Sequence, residues 1–131
     1  MVLNKAALTT GGFFVLVFGV HTFMGGQEVL QFRPENVAAH QNWLMKVGAF
    51  HLVTIDLLVL AVGLIYASLK FPYRQRIYRS VAGLCFLYGI SWFLQVALWQ
   101  QGRQDFWMLP QWVLFFLAGL GAWVASLKKP S

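Results

Sequence analysis

Residues 43–69 read WLMKVGAFHLVTIDLLVLAVGLIYASL, an apolar run whose only charged or imidazole side chains are Lys46, His51 and Asp56. It exceeds the ~20 residues that carry an α-helix across ~30 Å of hydrocarbon. Three further runs, residues 6–24, 81–99 and 107–127, are of the same kind and leave no stretch long enough for a soluble domain. The whole-chain balance agrees, since 59% apolar and 11% charged residues with a mean hydropathy of +0.63 lie outside the soluble class. The expectation is an all-α integral membrane protein: one compact four-transmembrane-helix bundle, with a helical hairpin in residues 1–72 and a second in 73–131. Cys85, the single cysteine, lies in the third run, so no internal disulfide can form and the residue reads as packing. Lys5 and the run after it have the outline of a signal peptide, but Phe23 and Met24 before Gly25 and Gly26 make a poor cleavage site, so the run is read as a retained span.

Charge gives the orientation. Lys5, then Lys70, Arg74, Arg76 and Arg79, then Lys128 and Lys129 fall on one side of a four-span chain. The other side balances Arg33, Lys46 and Arg103 against Glu28, Glu35 and Asp105. An excess of lysine and arginine marks the cytoplasmic side, so both termini are expected there, in a cell inner (plasma) membrane. Tyr73 and Tyr78 at the inner boundary and Trp43, Trp99 and Trp107 at the outer one fit interfacial aromatic belts. The net charge of +6 is then a topology signal, and the lipid bilayer rather than a nucleic acid is the partner it indicates.

The hairpins resemble one another. Ala67, Ser68, Leu69, Lys70, Phe71 and Pro72 close the first, and Ala125, Ser126, Leu127, Lys128, Lys129 and Pro130 close the second. Phe18, Gly19, Val20 and His21 likewise parallel Tyr88, Gly89, Ile90 and Ser91, so a parallel repeat about an axis along the membrane normal is one reading. In it Ser91 stands where His21 stands, and the first outer loop, residues 25–42, is much longer than the second.

At about 100° per residue, Phe50, Leu57 and Leu64 share one side of the second span and are expected to face lipid. Gly48, Leu52, Ile55, Val59, Gly63 and Tyr66 occupy the opposite arc and are expected to face protein, with His51 and Asp56 at its edges. Gly63 and Ala67 form a small-xxx-small pair, and Ala118, Gly121, Ala122 and Ala125 give the fourth span a similar close-packing surface.

A titratable group inside a span is costly and marks a functional site by default. His21, near the outer end of the first span, and His51, just inside the outer start of the second, lie at similar depth. Asp56 is about 7 Å deeper by helix rise. Ser91, Gln95 and Gln111 reach the same outer half, and Glu28 and His40 stand above it in the outer loop. These residues outline a ligand-binding pocket open to the periplasmic side. Duller readings exist: His21 as a hydrated helix cap, His51 as a neutral imidazole bonded to one carbonyl, Glu28 and His40 as ordinary loop residues.

Three functions fit. In the first, the His/Asp pocket binds a lipid, a quinone or a small polar ligand. In the second, the chain is an accessory or assembly subunit of a larger membrane complex, or a homo-oligomer, whose polar residues bond to a partner. In the third, His21 and His51 supply two axial imidazoles to haem b, or join Asp56 around a transition metal. HxxxH, HExxH and CxxCH motifs are absent. An enzyme is the weakest choice, because no nucleophile, phosphate-cradling loop or second carboxylate accompanies the His/Asp set.

Overall fold

The computed structural model describes residues 3–31, 33–70, 74–108 and 110–127. Among them the chain is helical and contains no strand. Helix α1 (Lys5–Val20) passes through a π-helical turn (His21–Gly25) into α2 (Gly26–Gln31) without a break; α3 (Val37–Lys70), α4 (Arg74–Trp99), the single turn α5 (Asp105–Met108) and α6 (Gln111–Leu127) follow. Three helices are long and apolar enough to cross a membrane, over Lys5–Gln31, Val37–Leu69 and Arg74–Trp99. The run at 107–127 gives a shorter apolar helix of 17 residues. Pro110 explains the shortening, because a ring with no N–H cannot continue α5 but can precede α6.

Helix α1 packs mainly on α3, and α4 on α6; α1 also meets α6, and α3 meets α4. The buried core lies toward the end at which α1 begins: burial on α1 runs only as far as Phe14, and on α3 it starts at Leu57. Polar groups tie this end together. The Asn4 side chain accepts from Ala7 N at 3.2 Å and so caps α1, while its Nδ2 donates to the Ala125 carbonyl at 2.9 Å and its backbone N–H to the Ser68 carbonyl at 3.3 Å. The Tyr78 hydroxyl donates to the Ala67 carbonyl at 2.9 Å. These acceptors lie in the last turns of α3 and α6, where carbonyls have no partner within their own helix.

Several expectations change. The second-span helix is rotated by about half a turn from the expected orientation: Leu57 and Leu64 are buried in the core, whereas Leu52, Ile55, Val59 and Tyr66 are exposed. The glycine that permits close approach is on α1. A Cβ on Gly11 would lie 2.7 Å from Ile65 and 3.3 Å from the Ala61 carbonyl, whereas one on Gly63 would meet nothing. On α6 the small residues Ala118, Ala122 and Ala125 are buried as expected. Tyr78 is fully buried rather than interfacial. The segment 25–42 is mostly helix, because the π-helical turn carries the chain through Gly25 and Gly26. The Asn36 side chain caps α3 by accepting from Ala39 N at 2.8 Å. The sequence features at Tyr73, Lys128 and Lys129, with the Phe71-Pro72 and Lys128-Lys129-Pro130 closures, lie outside the described residues.

Burial follows the same spacing in both hairpins. On α3 it falls on Leu57, Leu60, Ala61, Leu64, Ala67 and Ser68, and on α6 on Phe115, Ala118, Gly119, Ala122, Ala125 and Ser126. On α1, Ala7, Thr10, Gly11 and Phe14 have their counterparts in Tyr78, Val81, Ala82 and Cys85 of α4. Counted from these positions, the residue matching His21 is Trp92, one beyond the Ser91 suggested by the sequence. Ser68 and Ser126 also behave alike, each donating its hydroxyl to the carbonyl three residues earlier, at 2.6 and 2.7 Å.

Candidate functional site

The sequence-expected residues do not form one pocket. His21 opens the π-helical turn, a feature common at functional sites. Its ring is stacked on Phe50 with centroids 4.1 Å apart and planes 16° apart. Nε2 lies 3.3 Å from the Phe50 carbonyl, which also accepts from the Thr54 hydroxyl at 2.9 Å. Gly25 makes room for this stack, since a Cβ there would come within 3.0 Å of the Phe50 ring. His51 is exposed on α3, its ring edge-on to Phe50 at 5.8 Å. One imidazole is turned to a carbonyl and the other lies on the outer surface, each against the Phe50 ring. Among the described residues no group of three or more His, Cys, Asp or Glu side chains could hold a metal ion.

Asp56 is elsewhere, across from α4. It is half-buried, and the Tyr88 hydroxyl donates to its Oδ2 at 2.6 Å, a short O–H···O bond. The pair lies at a cavity of about 110 Å³ whose other lining residues are Val53, Leu57 and Leu60 of α3, Trp92 of α4 and Phe115 of α6. Buried Leu57, Leu60 and Phe115 supply its apolar side, and the half-buried Tyr88 and Trp92 supply aromatic surface beside the carboxylate. The Tyr88 and Phe115 rings are 5.2 Å apart and tilted by 54°. A water occupies about 30 Å³ in the liquid, so the space suits a few waters or one small organic group.

The remaining expected residues stand apart. Glu28, Ser91 and Gln95 are exposed. Gln111 is half-buried, and its Oε1 is buried without a hydrogen-bond partner; the same holds for the Thr22 hydroxyl. His40 stacks on Trp43 at 5.4 Å, and the Trp43 indole donates to the Val29 carbonyl at 2.9 Å, bracing the start of α3 against α2.

Sequence reasoning missed Tyr88, Trp92 and Phe115. One signal was available: a tyrosine inside an apolar run must find a partner for its hydroxyl, and Asp56 is a carboxylate in need of a donor. Compared with known proteins, the chain matches no family model, no curated sequence and no solved structure.

Proposed function

We propose that this is a four-span inner-membrane protein, a bundle of two similar hairpins with both termini in the cytoplasm, that binds a small polar ligand within the membrane at Asp56 and Tyr88. The observation that carries this reading is the hydrogen-bonded Asp56–Tyr88 pair lining a cavity midway along α3 and α4. A carboxylate at such a position is costly unless it serves a purpose. The meeting of Asn4, Ser68, Tyr78 and Ala125 at one end supports termini on one side, and the lysine and arginine distribution supports the cytoplasm. The matching burial in the two hairpins supports a parallel repeat.

The test is native mass spectrometry of gently purified protein. A small molecule should be retained by the wild type and lost from Asp56→Asn, with Tyr88→Phe weakening retention in a non-additive way. If the wild type retains nothing, the binding role fails and the pair is only a contact between α3 and α4.

A second reading, a subunit of a membrane complex or a homo-oligomer, is favoured by His51, an imidazole on the exposed face of a span. Lipid cannot bond it, whereas a partner helix can. Loss of a co-purifying chain, or of self-association, in His51→Leu would support this reading.

A further inference from the structure

We infer that the ligand of the Asp56 cavity is a small organic cation, an ammonium carrying methyl or short alkyl groups; this rests on the binding role proposed above and names its chemistry. Three observations lead there. First, Asp56 brings a carboxyl group to the cavity, and the side chain bonded to it there is the neutral Tyr88 hydroxyl. Its bond to Tyr88 engages Oδ2, so Oδ1 remains for a positively charged guest. Second, the other walls are aromatic and aliphatic: Tyr88, Trp92 and Phe115 beside Val53, Leu57 and Leu60. Aromatic faces carry negative potential and attract cations, and quaternary ammonium groups are typically held by such rings, tryptophan most strongly. Third, the cavity is poor in donors. The Tyr88 O–H is already committed to Asp56, which leaves the Trp92 indole N–H as the one side-chain donor among the lining residues. A neutral polyol or an anion needs several donors; a trimethylammonium group needs none. The volume, about 110 Å³, also suits a group of that size.

The arrangement divides the work between charge and shape. Asp56 supplies the counter-charge, Tyr88 fixes the carboxylate rotamer, and Trp92 with Phe115 replaces the cation's hydration shell by ring surface. Tyr88 is here a positioning residue as well as a wall.

The test is equilibrium dialysis of the full chain in detergent micelles against labelled choline and against its neutral isostere, in which a tert-butyl group replaces the trimethylammonium. Choline should bind saturably and at least tenfold more tightly than the isostere. Asp56→Asn should abolish the preference, and Trp92→Leu should weaken choline by roughly twofold to thirtyfold, the range of one cation–π contact. Val53→Phe, which keeps the carboxylate and fills the space, should block choline in a protein that still melts cooperatively. Equal binding of choline and isostere overturns the cation but leaves a ligand cavity. Choline binding that survives both Asp56→Asn and Val53→Phe places the cation elsewhere and overturns the site. If neither compound binds, the cation is overturned, while retention of another molecule in the mass-spectrometric test decides the cavity separately.

Discussion

The two seams between the hairpins are built on the same plan and packed differently. Where α1 meets α6, a Cβ on Gly121 would run into the Thr10 side chain, whose hydroxyl is folded back onto the Ala6 carbonyl at 2.9 Å. Where α3 meets α4, the matching glycine, Gly63, faces open space, and Asp56, two turns earlier on α3, meets Tyr88 at their cavity. By the burial register the counterparts of Asp56 and Tyr88 are Leu114 and Val17, which are apolar. One seam is closed by a small residue and a folded-back hydroxyl; the other keeps a polar pair and a void. A void forfeits packing and a buried polar pair must offset its own desolvation, so the α3–α4 seam is the less tightly packed of the two and the one at which the proposed ligand has room.

The largest effect should come from the core that both seams share. Leu64→Ala removes a fully buried side chain and should cost about 2–5 kcal/mol by detergent-phase thermal unfolding, whereas Leu52→Ala on the exposed face should change stability by less than about 0.5 kcal/mol. Equal losses would mean that α3 is turned the other way. Next comes the contrast between the seams themselves. Gly121→Val should destabilise by about 1–3 kcal/mol through overpacking, while Gly63→Val should be close to silent; a silent Gly121→Val would erase the distinction. A smaller effect is expected for Tyr88→Phe. Loss of its hydrogen bond to Asp56 should cost about 1.5 kcal/mol, where the ranges for neutral and charged acceptors meet, by the same unfolding measurement.

The apolar runs in the sequence were enough to find the helices, because about 20 apolar residues in succession have few other uses, but not their limits: the first continues to Gln31, the second begins at Val37 and the last only at Gln111. They could not orient them. On α3 both faces are apolar, so hydrophobic periodicity carries almost no phase information; of the small pair, Ala67 is buried in the core as expected, whereas Gly63 faces open space. The contact was decided by complementarity with α1, where Gly11 admits Ile65, a fact that resides on another helix. The same limit applied at the site. Asp56 was legible because a carboxylate in a span is rare, but its partner is 32 residues away in sequence and across a seam. His51 was grouped with Asp56 because both bordered the face that was expected to be buried. The π-helical turn was hidden because Gly25 and Gly26 are ordinarily breakers, and only the Phe50 ring packed against them shows why a glycine stands there.

The exchange of hydrogen bonds at the Asn4 end has a consequence for how the protein is made. The first hairpin holds a donor, the Asn4 amide, whose acceptor is the Ala125 carbonyl on the second; the second holds a donor, the Tyr78 hydroxyl, whose acceptor is the Ala67 carbonyl on the first. Each half therefore carries one plug and one socket that the other half satisfies at the ends of their helices. Synthesis as two separate polypeptides should still yield an assembled protein, with these two bonds setting the rotational match between the pieces.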